Sequence, residues 1–202
     1  MSYRVNEIFY SLQGEGIRAG TANVFVRFSG CNLECSMEPG PRSPGGFDCD
    51  TEFMSGRTML GTQIIAEAER IAPDCRNVIL TGGEPVLQLD SDLYNLLREK
   101  RYHIAIETNG SMPVPFEVDW ITVAPKVAEH AIRQHKADEV RYVRHYGQGI
   151  PRPSCDAVYQ LISPAFDGNS LSRDNLSWCI QLVKENPQWR LSVQQHKFWS
   201  VR

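Results

Sequence analysis

No stretch of this 202-residue chain is apolar over the length a bilayer requires, and Met1-Ser-Tyr-Arg-Val-Asn6 lacks the apolar core of a secretory signal. A cytoplasmic protein is therefore expected. Positive charge is not in excess either: 21 Lys and Arg stand against 24 Asp and Glu, giving a formal net charge of −3 and a pI near 6.0. Without a basic field to attract phosphates, direct binding of nucleic acid is disfavoured and a small-molecule substrate is favoured. There is no internal repeat and no low-complexity tract, which argues against solenoids and disordered scaffolds. Cysteine is sparse, with six in all. Cys75, Cys155 and Cys179 are isolated and read as ordinary packed thiols.

The other cysteines crowd together. Cys31-Asn-Leu-Glu-Cys35 is followed by a Pro/Gly-rich run to Phe47, then Asp48-Cys49-Asp50-Thr51. Three residues separate the first two cysteines and thirteen separate the second from the third. In a chain without a secretory signal such a cluster reads as metal ligands rather than disulfides. A structural zinc site is normally closed by four Cys or His ligands, and no further Cys or His lies between 31 and 51. A four-iron cluster on three thiolates is the alternative, and it leaves one iron open to another molecule.

At 202 residues with 42% hydrophobic content the chain suits one domain, 1–202, with a metal-binding loop at 31–51. Extended segments are expected at Val5–Tyr10 and Ala22–Ser29, then at Asn77–Leu80, His103–Ile106, Trp120–Val123, Val140–Val143, Val158–Ile162 and Arg190–Val193. Helical spacing marks Met59–Ile71, Leu89–Arg101 and Leu171–Asn186. Motif after motif sits at a strand's C-terminal end, as in parallel α/β barrels. Three main helices and about six barrel strands are too few for eight repeats, so an open, partial (β/α) barrel is expected. The charged segment Ala128–Ser154 reads mostly as a solvated connection.

Several motifs have two readings on residue type alone. Leu12-Gln13-Gly14-Glu15-Gly16 is either a solvated hairpin loop or a display of an amide and a carboxylate for a ligand. Arg27 lies in an apolar strand, where it either pairs with a structural acid or receives a ligand carboxylate. Thr81-Gly82-Gly83-Glu84-Pro85 is either a strand-to-helix turn or a place where backbone approaches a ligand closely. Thr51 reads as a turn residue, Glu107 as a strand-end carboxylate and His196 as a structural histidine until something else places them at a site.

Together these motifs resemble the radical S-adenosylmethionine (SAM) enzymes, in which SAM chelates the open iron of a [4Fe–4S] cluster. The usual spacing there is Cys-x3-Cys-x2-Cys, so this chain differs by an insertion of about eleven residues before Cys49. Within that group the chain is similar to the 7-carboxy-7-deazaguanine synthases, from Gln13 to the C-terminus. The resemblance implies a lyase that uses SAM, a [4Fe–4S] cluster and Mg²⁺ to turn 6-carboxy-5,6,7,8-tetrahydropterin into 7-carboxy-7-deazaguanine and ammonia, for queuosine-type 7-deazapurine synthesis. It assigns Cys31, Cys35 and Cys49 to the cluster and Thr51 to Mg²⁺. Asp48, Asp50, Gly82, Gly83, Glu84, Asn109, Ala124, Pro125, Lys126, Ser163 and Asp167 fall to the cofactor side. Ala124 stands where a serine is common, and the segment around Ser163 to Asp167 lacks a usual glutamine. Leu12, Gln13, Gly14, Glu15, Arg27, Thr81, Glu107, His196 and Arg202 fall to the substrate. A homodimer and an electron donor such as flavodoxin or ferredoxin are implied as well. Two other readings use the same cysteines: an activase that makes a glycyl radical on a partner protein, and a non-catalytic zinc or iron–sulfur module.

Overall fold

A computed structural model describes residues 1–33, 35, 52–168 and 170–202. In chain order the strands are β1 (Ser2–Leu12), β2 (Ala22–Phe28), β3 (Arg57–Leu60), β4 (Asn77–Gly82), β5 (His103–Thr108), β6 (Trp120–Val123), β7 (Lys136–Arg144), β8 (Asp156–Pro164), β9 (Phe166–Asp167), β10 (Ser170–Leu171) and β11 (Trp189–Leu191). The helices are α1 (Gly61–Ile71), α2 (Ser91–Glu99), α3 (Arg173–Glu185) and α4 (Gln195–Trp199). A nine-stranded sheet runs β11-β8-β7-β6-β5-β4-β2-β1-β3, and β9 and β10 form a separate hairpin. From β2 to β11 every neighbour is parallel, while β1 and β3 add antiparallel at one edge. Among the described residues no helix is long and apolar enough to cross a membrane.

This is the open α/β barrel expected, with more strands than the six foreseen. Met59 and Leu60 were expected to begin a helix, yet they pair with Tyr3 and Ser2 as strand β3, and α1 starts at Gly61. A four-residue strand is too short to show alternation, so the helical period of Leu60, Ile64 and Ala68 masked it. The segment 128–154 is corrected more substantially. All of β7 lies in it, and Glu139, Val140, Arg141 and Tyr142 are buried. Of its charges, Glu139 and Arg141 face the inside of the barrel, where they meet each other and Glu15.

Strand register separates the two faces of the sheet. On the outer face Val24, Val26, Phe28, Val78, Leu80, Ile104 and Ile106 form one core with Ile64 and Ile65 of α1 and Leu93 and Leu97 of α2. On the inner face an apolar layer runs Phe9, Phe25, Ile79, Ala105, Trp120 in lateral register. One layer nearer the strands' C-terminal ends the register reads Glu7, Arg27, Thr81 and, from β5 onward, Glu107, Thr122, Glu139, Tyr159. Because side chains alternate with period two, each of these residues is forced onto the same inner face as the apolar one two positions away, before it on the parallel strands and after it on β1. A polar layer thus sits on a dry floor.

The open side of the barrel is bridged by the loop after β1. Its Gly16 N–H donates to Ser192 Oγ (2.9 Å), Ile17 N–H donates to Glu139 Oε2 (2.8 Å), and Gln195 N–H donates to Gly14 O (2.8 Å). Gly16 has φ +72°, and a side chain there would strike the Glu139 carboxylate.

The chain on either side of residues 31–51 is clasped. Gly30 N–H donates to Phe53 O (2.8 Å), and Ser29 Oγ donates to Ser55 O. Glu52 accepts from Asn6 Nδ2 and from the hydroxyl and N–H of Ser55, which hold its carboxyl down to about 2. Against this clasp lies the turn after β4: Gly83 N–H donates to Phe28 O and Glu84 N–H to Gly30 O. A Cβ on Gly83 would fall 1.9 Å from Gly30 O. The Gly83→Ala substitution is therefore expected to cost about 2 kcal/mol or more, a fall of roughly 4–8 °C in the Tm of the cluster-free protein. An unchanged melt would show that the close approach is not a constraint.

Candidate functional site

The site divides into a sulfur end, a buried acidic middle and an arginine pair. At the sulfur end, Leu33 N–H points at Cys31 Sγ (3.4 Å) and Asn109 Nδ2 lies 3.9 Å from the same sulfur. Asn109 also donates to Asn32 Oδ1, and Asn32 donates to Ser111 Oγ. N–H groups directed at sulfur suit a thiolate that carries charge in a metal site. Cys35 is half-buried nearby in sequence, and Asp48, Cys49, Asp50 and Thr51 lie outside the described residues. The glycines Gly82 and Gly83 do allow a close approach, but the partner is the chain's own backbone from Phe28 to Cys31.

Glu84 faces inward. Its carboxylate is 0% exposed and accepts from Thr108 Oγ1 (2.8 Å), Asn109 N (2.8 Å) and Val86 N (3.1 Å). It ties the end of β4 to the end of β5 and fixes Asn109 beside Cys31. Burial pushes its pKa up, against the pull of those three donors.

In the middle, Gln13 Nε2 donates to Glu107 Oε1 (2.7 Å), and Thr81 Oγ1 stands 3.4 Å from Glu107 Oε2. Gln13 Oε1 in turn accepts from Glu15 N (3.1 Å). Arg141 joins these groups: its Nη2 is 2.9 Å from Glu15 Oε2 and 4.0 Å from Glu107 Oε2, and its Nη1 is 4.0 Å from Glu139 Oε1. Glu139 also accepts from Thr122 Oγ1 (3.0 Å), and burial raises its pKa while Arg141 opposes the rise. The Arg18 guanidinium reaches into the same field, near Glu107 and Glu139, and burial lowers its pKa.

The third part is an arginine pair. Arg27 Nη1 lies 2.8 Å from Glu7 Oε1, and Arg202 Nη2 lies 2.9 Å from Glu7 Oε2. Arg27 Nε is buried with no hydrogen-bond partner among the described residues. An N–H in that state suits an incoming carboxylate. The Arg202 carbonyl accepts from Ser11 Oγ (2.7 Å), so the C-terminal segment lies along β1.

Most of the expected substrate-side residues are thus brought together. Gln13, Glu15, Thr81 and Glu107 meet directly, Arg27 and Arg202 meet through Glu7, and His196 packs on Gly14, where a Cβ would be only 2.1 Å from its Nδ1. Leu12 ends β1 at the base of that loop. Ala124 follows β6, with its N–H on Thr108 O, and Pro125 and Lys126 continue from it. Ser163 is buried near the end of β8, its Oγ lacking a hydrogen-bond partner among the described residues. Asp167 is exposed on the β9–β10 hairpin. That hairpin docks on α4 through Phe166 against Phe198 and through Lys197 Nζ donating to Gly168 O. Sequence reasoning missed Glu7, Asn32, Glu139 and Arg141. The alternation Glu139-Val-Arg141-Tyr is the signal that could have found two of them.

Glu84 offers a test that needs no ligand. Its folded-state pKa lies above the ordinary 4.5, so the stability it contributes is full below that value and is lost as pH rises through the folded value. The Glu84→Gln protein has no such proton to lose. Its stability relative to the parent should therefore climb with pH over that window in melts of the cluster-free forms, and a constant difference would contradict the assignment.

Comparison with known proteins agrees with this geometry. Residues 12–112 match the model of the 4Fe-4S single cluster domain family. The chain is 41% identical over 204 residues to the 7-carboxy-7-deazaguanine synthase of Bacteroides thetaiotaomicron, covering 100% of both. It is 37% identical over 212 residues to that of Bradyrhizobium diazoefficiens, again covering 100% of both. The fold is similar to the crystal structure of QueE from Escherichia coli, with a TM-score of 0.71, 23% identity, and coverage of 97% of this chain and 95% of that one. With such identity over its whole length, on a barrel that gathers Gln13, Glu15, Thr81 and Glu107 beside a cysteine-bearing rim, the chain belongs to the 7-carboxy-7-deazaguanine synthase family.

Proposed function

We propose that this chain is a cytoplasmic radical SAM lyase that converts 6-carboxy-5,6,7,8-tetrahydropterin to 7-carboxy-7-deazaguanine with release of ammonia. One observation carries the substrate assignment: carboxylates of Glu15 and Glu107 converge with Gln13 at one part of the inner face, while Arg27 presents a buried, unpartnered Nε–H at another. The carboxylates match the guanidine-like edge of a pterin, which donates, and the arginine matches the substrate's carboxylate. The loop 13–17 bridges the barrel's open side, which favours a small molecule over the peptide loop of a partner protein.

Cys31, Cys35 and Cys49 would hold the [4Fe–4S] cluster, and the donors aimed at Cys31 Sγ fit a charged sulfur. When bound, the cluster and SAM together supply a one-electron reductive cleavage that yields a hydrogen-abstracting radical. The chain's own part is positioning and exclusion of water. The backbone of Gly82 and Gly83 would read the methionyl ammonium, with Glu84 bracing the turn from beneath. The Ser163 hydroxyl, buried without a partner, and Asn109, Ala124, Pro125, Lys126 and Asp167 would line the SAM side. Gln13, Glu15, Thr81 and Glu107 hold the ring edge, Arg27 and Arg202 the carboxylate end, and His196 closes over Gly14. The apolar layer of Phe25, Ile79 and Ala105 would keep water from the floor of the site. Mg²⁺ shared by Thr51 and the substrate, a flavodoxin- or ferredoxin-type electron donor and a homodimer complete the proposal, and family resemblance supports them.

Anaerobically reconstituted protein with reductant, SAM and Mg²⁺ should release 7-carboxy-7-deazaguanine and ammonia from the pterin. Unchanged pterin, or a colourless zinc protein that leaves SAM intact, would refute the reading. Cys35→Ala should abolish both the brown chromophore and SAM cleavage. Glu107→Gln should lower kcat/KM by roughly 10- to 150-fold, the worth of one charge-assisted hydrogen bond, with the chromophore retained.

A further inference from the structure

Arg141 is 7% exposed and has no role in the reading above, yet it is the cation on which the inner carboxylates converge. We propose that Arg141 is a positioning residue that sets specificity: it holds Glu15 and Glu107 aimed together at the amino-bearing edge of the substrate. This rests on the reading of Glu15 and Glu107 as the groups that recognise that edge.

The distances define the arrangement. Arg141 Nη2 takes Glu15 Oε2 at 2.9 Å and stands 4.0 Å from Glu107 Oε2, so one nitrogen faces two carboxylates carried on different elements. Glu15 sits on the loop after β1 and Glu107 on β5. Arg141 itself is fixed on β7, between β6 and β8 in the sheet. Two residues before it, Glu139 receives Ile17 N–H and Thr122 Oγ1–H, and so anchors the far side of the same loop to the same strand. Gln13 Nε2 meanwhile occupies Glu107 Oε1.

Without the guanidinium, the partly buried Glu15 and Glu107 and the buried Glu139 would share one space, with Arg18 the other cation in the field. Repelled from one another, the carboxylates would turn apart, and acceptors no longer aimed at one place cannot both meet the donors of a 2-amino, N–H edge. Loss of Arg141 should therefore damage recognition of that edge specifically, beyond any loss of stability. A cation that merely neutralised Glu139 would not affect which edge is preferred.

The test compares two ligands on the cluster-loaded protein with SAM under anaerobic conditions. One is 7-carboxy-7-deazaguanine; the other is its 2-oxo counterpart, in which a carbonyl replaces the amino group. Titration calorimetry gives the ratio of the two dissociation constants, and melting confirms that each variant is folded. The parent protein should prefer the 2-amino ligand by at least roughly 10-fold, since a carbonyl facing carboxylate acceptors leaves both sides unpaired. Arg141→Gln should bring the ratio close to one. Arg141→Lys, which keeps the charge but not the planar fork, should give an intermediate ratio. A parental ratio in either folded variant overturns the proposal while the functional reading stands. A parent that binds neither ligand removes both.

Discussion

Carboxylates drawn together out of bulk water repel one another, and the inner face of this barrel carries the half-buried ones of Glu7, Glu15 and Glu107 and the buried one of Glu139. Guanidinium groups make that layer tenable. Arg141 serves the acids on β5, β7 and the first loop, and Arg27 and Arg202 share Glu7 at the edge. The layer exists because parallel strands in fixed register bring residues two apart to the same face, so that Arg27, Thr81, Glu107, Thr122 and Glu139 lie one level above Phe25, Ile79, Ala105 and Trp120. A polar layer over an apolar floor can hold a flat heterocycle with a charged substituent by its edges. Interactions within it are strengthened because water is scarce.

The cysteine stretch depends on a second constraint, close packing of backbone against backbone. Gly82 and Gly83 let the turn after β4 come against residues 28–31, and the clasp between Gly30 and Phe53 fixes where the loop departs and returns. Glu84 connects this turn to Thr108 and Asn109, so the residue beside Cys31 Sγ and the turn beneath it move as one piece. Sulfur end and substrate layer are therefore joined through β5, which carries Glu107 two residues before Asn109.

Much of this was legible in the sequence because it is local. The open barrel follows from alternation of strand and helix; Gln13, Glu15, Thr81, Glu107 and Arg27 stand at strand ends or where a charge interrupts an apolar run, and the family resemblance chose between their two readings. Arg141 and Glu139 were not recognised because they lie in a charged segment that looks solvated until β6 and β8 are known to flank it. Arg27 also illustrates the limit. Its two readings, structural ion pair and carboxylate receptor, are both supported by its geometry, since Nη1 holds Glu7 while Nε is buried without a partner among the described residues. Gly83 and Glu84 show that a motif can be recognised while its atoms act differently: the glycine accommodates the chain's own Gly30, and the carboxylate turns inward.

The central claim is that the acidic layer and Arg27 grip opposite ends of one ring system. A crystal structure of the cluster-loaded protein with SAM and 7-carboxy-7-deazaguanine tests this most directly. The amino-bearing edge should lie on Glu15 and Glu107, with the ligand carboxylate on Arg27 Nε. A ligand bound in the reverse orientation, or away from Glu107, would contradict the account.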